Sequence, residues 1–239
     1  MQKKNRFWFY SFSVAACLLI LINSCKKDSN IPTQQGISVT DFDGNVYQTA
    51  TIGTQIWMVK NLKVNHYRNG DLIPYVTDSS AWRNLTTGAC CDYENTQAND
   101  STYGKLYNWF AVNDSRNIAP VGWHVANNDD WQTLISYLEI GEIVGPSYKL
   151  RSSTGWRING NNSSGFTALP GGCRTIGGLF DSFSSQCIFR EVGVSGYWWS
   201  ATGDQATWAY GWGIYYDTNN VIDFCYNQGR GLSVRCLKD

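Results

Sequence analysis

The clearest pattern of apolar and polar positions lies near the end of the chain, over residues 207–217. There, Trp208, Tyr210 and Trp212 alternate with alanine and glycine residues. A period of two predicts a β-strand with large side chains on one face and small ones on the other. The small face allows another backbone to approach closely.

The aromatic residues of this region allow two interpretations. The large face fills a core, or it presents a platform on which sugars stack. The candidate platform residues are Trp198, Trp199, Trp208 and Trp212. Because Trp and Tyr in strands mostly serve packing and cross-strand pairing, we expect the face of Trp208, Tyr210 and Trp212 to be mostly buried. A ligand would then contact only the aromatic residues that remain exposed.

Two segments predict amphipathic helices. One has apolar residues at the i, i+3, i+4 and i+7 positions of a helix face, namely Trp131, Leu134, Ile135 and Leu138. Asx residues at 127–130 supply its N-cap, and Gly141 ends it. The second helix is predicted over residues 104–112. After residue 155 the chain is rich in Gly, Asn and Ser, which predicts a long loop-rich region with short strands. The expected class is α+β.

An antiparallel β-hairpin is predicted over residues 39–49, where Asp-Gly-Asn at 43–45 separates two strand-like runs. Asp41 and Asp43 also resemble the start of a calcium loop, but the later ligands of such a loop, including a Glu, are missing. A plain turn is therefore the favoured interpretation, and no metal site is predicted.

The start of the chain is typical of an export signal. Basic residues precede an apolar stretch over residues 7–22, which is shorter than the ~20 residues of a membrane-spanning helix. Residues 22–25 resemble a bacterial lipobox, which implies cleavage before Cys25 and lipidation of its thiol. The alternative is an ordinary signal peptide cut nearby. The polar residues 26–30 resemble signals that send Bacteroidetes lipoproteins to the cell surface.

These features divide the chain into a lipoprotein signal peptide over 1–24, a flexible tether over 25–37 and a folded domain over 38–239. The expected location is the outer membrane or cell surface, with the membrane as a partner through the lipid anchor.

Composition narrows the function classes. The 239 residues contain 19 Lys and Arg against 19 Asp and Glu, so no basic surplus exists to neutralise a nucleic acid. Nucleic acid is therefore not expected as a partner. With 43% hydrophobic and 15% aromatic residues, the chain can bury a substantial core.

Eight cysteines are present, of which Cys17 lies in the apolar stretch and Cys25 at the lipidation site. The other six are candidate disulfide cysteines: Cys90, Cys91, Cys173, Cys187, Cys225 and Cys236. An even number in an exported chain favours disulfides, but the sequence does not choose among the pairings. Alternation along the strands places Cys236 inward and Cys225 outward, so we expect these two not to bond.

No catalytic group of residues is evident, and no cofactor is predicted. His66 and His124 are the two histidines, and neither lies in a recognisable triad motif. His124 precedes the predicted helix and is interpreted as a buried, hydrogen-bonded structural residue. We therefore expect a protein that is not an enzyme.

Several segments resemble one family, the Fibrobacter succinogenes major paralogous domain, which is common in lipoproteins of Bacteroidetes. The matching segments include Asp-Phe-Asp-Gly-Asn at 41–45, Pro-Val-Gly-Trp-His at 120–124 and Leu-Ser-Val-Arg-Cys at 232–236. Others lie at 52–58, 61–62, 85–89, 103–109, 164–172 and 196–200. They cover most of residues 38–239 in the order of the family.

The resemblance implies a divergent C-type-lectin-like fold. It also implies a cell-surface lipoprotein module with a non-catalytic binding or structural role, whose ligand is a glycan or a surface protein. Calcium-dependent sugar binding is not expected, because the Glu-Pro-Asn and Trp-Asn-Asp motifs are missing. The alternative is an enzyme of the formylglycine-generating-like branch of that fold, which needs two reactive cysteines close together. The full disulfide pairing does not transfer from the family, since Ala119, Cys90 and Cys173 depart from its pattern. The resemblance implies only a candidate partner for Cys236, namely Cys91, the other cysteine at a family position.

Overall fold

The computed structural model describes residues 37–140, 144–177 and 187–239. The predicted signal peptide, Cys25 and nearly all of the predicted tether lie outside these residues. Within the three described segments, no helix has the length and apolar character needed to cross a membrane.

The domain is built mainly from β-strands, as its aromatic and Gly-rich sequence predicts. The strands are β1 Val39–Thr40, β2 Val46–Tyr47, β3 Thr49–Ile52, β4 Gln55–Met58, β5 Cys90–Cys91, β6 Leu106–Tyr107, β7 Trp123–Val125, β8 Gly171–Arg174, β9 Phe189–Val192, β10 Ser195–Gln205, β11 Trp208–Tyr215, β12 Val221–Asn227 and β13 Cys236–Lys238. They form sheets of five, four, two and two strands. The α+β class is therefore confirmed.

The five-stranded sheet has the order β12-β11-β10-β8-β9, and the contact between β10 and β8 is its parallel pair. In β11 the predicted alternation is confirmed, because Trp212 and Ile214 are buried on one face while Gly211 and Gly213 occupy the other. Aromatic rings of the neighbouring strands fill the space above these glycines: a Cβ on Gly211 would lie 3.0 Å from the Tyr226 ring.

The four-stranded sheet has the order β3-β4-β13-β7 and is antiparallel throughout. The last strand of the chain, β13, thus lies between strands from the first half of the domain. The predicted hairpin of β1 and β2 is confirmed, with Val39 opposite Tyr47.

Five α-helices occur in the described residues: α1 Ser79–Arg83, α2 Gln97–Tyr103, α3 Trp109–Val112, α4 Asn128–Glu139 and α5 Pro146–Leu150. A short 3-10 helix spans Tyr93–Asn95. Helix α4 matches the first predicted helix. Its N-cap Asn127 and its third residue Asp130 form a reciprocal capping box, and all four residues of the predicted apolar face are buried. The predicted stop at Gly141 lies outside the described residues.

The prediction of a second amphipathic helix over 104–112 is wrong. Leu106 and Tyr107 form β6, paired with β5, and only the four residues of α3 are helical. Long-range pairing decides this segment, because the Tyr107 amide donates to the Leu232 carbonyl at 2.8 Å. Asn108 then caps α3 by accepting from the Ala111 amide.

An aromatic core joins helix α4 to both large sheets. The centroid of the Trp131 ring lies 5.3 Å from the ring centroid of Trp57 in β4. It lies 6.0 Å from the ring centroids of both Trp198 in β10 and Trp212 in β11. All four belong to one buried cluster. Folding requirements therefore dominate the choice of these residues.

Because Trp212 is buried in this cluster, Trp212→Ala should lower the free energy of unfolding by about 3–5 kcal/mol. Trp208→Ala is the matched control, since Trp208 is half-buried on the same strand and should cost less. Chemical denaturation measures both values. Equal losses for the two variants would contradict the assignment of Trp212 to the core.

Candidate functional site

Most of the side chains expected to form an aromatic platform are buried in the structure. Trp198 and Trp199 are fully buried and Trp212 is 6% exposed, whereas Trp208 is half-buried. The buried indole N–H groups have internal acceptors: Trp198 donates to the Asn61 side chain at 2.8 Å and Trp199 to the Tyr107 carbonyl at 2.7 Å. Trp198, Trp199 and Trp212 are therefore core residues and not a ligand platform, which corrects that prediction.

The expected burial of the face of Trp208, Tyr210 and Trp212 holds only in part. Trp212 is buried, whereas Trp208 and Tyr210 are half-buried towards the start of β11. The large exposed aromatic side chains lie elsewhere, at Phe42, Tyr75 and Tyr137.

Phe42 lies in the hairpin loop between β1 and β2, whose shape is set by Asp41. The Asp41 carboxylate accepts from the Asp43 amide at 3.0 Å, from the Asn45 amide at 2.9 Å and from the Tyr47 hydroxyl at 2.6 Å. These bonds make the loop an Asx turn, which agrees with the turn interpretation. Because Asp41 is occupied within the turn, Phe42 and Asp43 make contacts beyond it.

Asp43 pairs with a histidine that is distant in the sequence. Its carboxylate accepts from the Asn65 amide and contacts Nδ1 of His66. A carboxylate at this position favours the tautomer with the proton on Nδ1, which leaves Nε2 as an acceptor in the neutral ring. The Phe42 ring lies beside this pair, with its centroid 5.6 Å from that of His66.

A glycine leaves room for the ring of Phe42. Gly70 has φ +92°, and a Cβ at this residue would lie only 2.9 Å from the Phe42 ring. The ring therefore lies directly over the backbone of Gly70. Phe42 nevertheless stays 57% exposed.

The turn over residues 119–123 faces the hairpin loop across a cleft. Arg68 fixes this turn by donating from its guanidinium to the carbonyls of Ala119 at 3.0 Å, Pro120 at 2.9 Å and Trp123 at 2.9 Å. Val121, at the tip of the turn, is 78% exposed. The hairpin loop and this turn enclose a cleft of about 210 Å³, lined by Thr40, Asp41, Phe42, His66, Arg68, Ile118, Ala119, Pro120 and Val121.

The profile of the Fibrobacter succinogenes major domain matches residues 50–238. The chain belongs to this family. No curated protein and no solved structure matches this chain. In this member of the family, the cleft brings the Asp-Phe-Asp-Gly-Asn segment against the Pro-Val-Gly-Trp segment.

In the described residues of this Fibrobacter succinogenes major domain protein, no disulfide joins any two of the six cysteines, so the disulfides predicted from their even number do not form there. Cys90, Cys173 and Cys236 lie in one buried cluster, Cys91 and Cys187 in another, and Cys225 is exposed on the edge strand β12. The proposed pairing of Cys91 with Cys236 is therefore wrong.

The expectation that Cys225 and Cys236 do not bond is confirmed, with Cys236 buried and Cys225 exposed. The strand pairing differs from the one assumed, because β13 joins the four-stranded sheet while β12 pairs with β11. Burial raises the pKa of Cys90, Cys91 and Cys236 to about 12, which disfavours the thiolate.

His124 lies on β7 between two carboxylates. Its Nε2 is 3.1 Å from Asp130 and its Nδ1 is 2.7 Å from Asp239. The hydrogen bond to Asp130, followed by that to Asp239, raises the pKa of His124, although partial burial opposes the shift. The predicted hydrogen-bonded structural role is supported, but the side chain is half-buried and belongs to a strand.

The pair of Asp43 and His66 was not found from the sequence. The two residues are 23 positions apart, and the only sequence signal was the Asx-rich turn itself. Leu72, which is 62% exposed and bridged to His66 across a short antiparallel contact, was also missed. Three strongly exposed apolar residues, Phe42, Leu72 and Val121, thus lie close to one polar pair.

The thiol assignments predict the order of alkylation. Under native conditions without reductant, iodoacetamide should modify Cys225 first, because it is exposed while the other five are buried. After denaturation, peptide mass mapping should find all six alkylated. Protection of any of the six until a reductant is added would contradict the absence of disulfides among them.

The His124 contacts predict a pH-dependent contribution to stability. Because the folded pKa is raised above the ordinary value of about 6.5, the contribution is fully present below that pH and is lost as pH rises through the folded pKa. The melting temperature of the wild type should therefore exceed that of His124→Gln by more at pH 6 than at pH 9. A difference that is the same at both pH values would show that charge on His124 contributes nothing.

Proposed function

We propose that this chain is a lipoprotein of the outer membrane or cell surface, anchored through Cys25, whose domain has a non-catalytic binding role. The ligand is a glycan or a surface protein, contacted through exposed aromatic and apolar side chains. The order of basic, apolar and lipobox-like residues at the start of the chain supports the anchor. A divergent C-type-lectin-like fold is part of the proposal and is supported by the family membership.

One observation carries the binding role. While the Trp residues of the expected platform are mostly buried in the core, Phe42, Leu72 and Val121 are 57%, 62% and 78% exposed close to the pair of Asp43 and His66. Exposed apolar side chains gathered beside a few polar groups are typical of binding sites. The balance of 19 basic and 19 acidic residues favours a neutral partner over a nucleic acid.

The alternative, an enzyme of the formylglycine-generating-like branch, receives less support. It needs two reactive thiols close together, whereas Cys225 and Cys236 lie in different sheets. Desolvation and the Asp204 carboxylate also raise the pKa of Cys225, so its thiol is not activated.

Replacement of the lipidated residue tests the anchor. In Cys25→Ala the protein should leave the membrane fraction, and the mass of the mature N-terminal peptide should no longer include acyl chains. Cys17→Ala is the matched control, because this cysteine lies in the same apolar region but upstream of the cleavage site. Unchanged membrane retention of Cys25→Ala, with no lipid on the wild-type peptide, would contradict the proposal.

A glycan array probed with the purified full chain tests the binding role. Binding to at least one class of glycan, lost after thermal unfolding of the chain, is the expected result. An array with no bound glycan would remove the glycan from the proposal and leave a surface protein as its ligand.

A further inference from the structure

The cleft between the hairpin loop and the 119–123 turn has an apolar side chain on each wall and a polar group between them. One side presents the exposed ring of Phe42, and Val121 extends from the facing turn. Between them lies the imidazole of His66, whose side chain is 32% exposed. A ligand that fills this space therefore meets both an apolar face and a hydrogen-bonding group.

The hydrogen-bonding capacity of the cleft is well defined. Asp43 holds Nδ1 of His66, and no hydrogen bond to Nε2 forms among the residues that the structure describes. Nε2 is therefore the ring nitrogen available to a ligand, and it accepts from a hydroxyl or amide donor. Asp43 is a positioning residue here, because it acts by fixing the tautomer and orientation of His66.

An anionic ligand does not fit this cleft. Arg68 is the cationic residue that lines it, and its guanidinium already donates to three main-chain carbonyls of the 119–123 turn. An anion would also face the Asp43 carboxylate behind His66. A cation would find the carboxylates of Asp41 and Asp43 already engaged, by the hairpin loop and by His66, so an uncharged ligand suits the cleft best.

The remaining choice is between an apolar side chain of a protein and a sugar ring. An apolar group would bury Phe42 but would also desolvate Nε2 of His66 without giving it a donor, which is unfavourable. A pyranose ring has an apolar C–H face for the aromatic ring and hydroxyl groups at its edge for the imidazole. A cleft of about 210 Å³ has room for one such ring.

We infer that this cleft binds one uncharged pyranose unit of a glycan, whose C–H face packs on Phe42 and one of whose hydroxyl groups donates to Nε2 of His66. The inference rests on the proposed binding role and specifies its site and ligand class. It moves the sugar contact from the tryptophans of β10 and β11 to the first hairpin of the domain.

The chain has only two histidines, which makes the inference directly measurable. In proton NMR of the full chain in detergent, the His66 imidazole signals should shift during titration with glucose, galactose, mannose or N-acetylglucosamine. The His124 signals serve as an internal reference, because His124 is bound to Asp130 and Asp239 away from the cleft. His66→Gln assigns the signals. Saturation with at least one sugar in the millimolar range is expected.

Phe42→Ala should weaken the binding of that sugar about tenfold, because the ring contact is lost. It should fold normally, since Phe42 is mostly exposed. Tyr137→Ala is the matched control: Tyr137 is a similarly exposed aromatic residue at a different cleft and should leave the titration unchanged.

No shift of His66 with any of the four sugars, or equal shifts of His66 and His124, would overturn the inference. If the glycan array is positive while Phe42→Ala and Tyr137→Ala bind as the wild type does, the proposed function stands and this cleft is excluded. If Cys25→Ala stays in the membrane but the His66 titration saturates, the anchor is wrong and the cleft stands. The two proposals are therefore tested separately.

Discussion

At the centre of this domain lies a buried guanidinium that pairs with no carboxylate among the described residues. Arg235, 1% exposed, donates to the carbonyls of Met58 at 2.8 Å and Phe166 at 2.6 Å and to the Asn61 side chain at 2.9 Å. The same Asn61 oxygen accepts from the Trp198 indole at 2.8 Å. Strand β4, the loop that contains Phe166 and strand β10 of the other sheet therefore all depend on one side chain.

Burying the charge of Arg235 is unfavourable, and this constrains the geometry of its hydrogen bonds. Burial lowers the pKa of Arg235 to about 9, because desolvation disfavours the charged form, yet the group remains protonated at neutral pH. Its N–H groups therefore need acceptors, and the Phe166 ring adds a further contact, with the guanidinium carbon 4.1 Å from the ring centroid. The acceptors in turn would be unsatisfied without the arginine. Because the arginine and its acceptors need each other, the segments that carry the acceptors have little conformational freedom.

Other arginines also hold loops in place by donating to main-chain carbonyls. One of these loops is a wall of the cleft. Arg174, fully buried, donates to the carbonyls of Val76 and Thr77, and Arg151 donates to that of Ile158. Arg68 fixes the 119–123 turn in this way, and so determines where Val121 stands opposite Phe42. In a domain with short helices and long loops, planar donors that bind main-chain carbonyls replace regular hydrogen-bonded structure.

Features set by neighbouring residues could be predicted from the sequence. The capping box and apolar face of α4, the Asx turn after β1 and the alternation in β11 are all of this kind. The strand at Leu106–Tyr107 could not be predicted, because the apolar pattern fits a helix while pairing with β5 and Leu232 makes these two residues a strand. The candidate site was missed for the same reason: Asp43 and His66 meet only when the hairpin packs on a segment 23 residues later. The tryptophans suggested a platform because the pattern alone does not show that both faces of the sheet are covered.

Hydrogen exchange in Arg235→Lys tests the central role of Arg235 most directly. Lysine keeps the charge but cannot reach three separate acceptors with a planar fork, so we expect stability to fall by at least about 3 kcal/mol. Exchange should accelerate in β4 and β13 and also in β10, because Asn61 links Arg235 to Trp198. Arg116→Lys, at an exposed ion pair, is the control and should leave exchange in these strands unchanged. Faster exchange confined to β13, with β10 protected as in the wild type, would contradict the account.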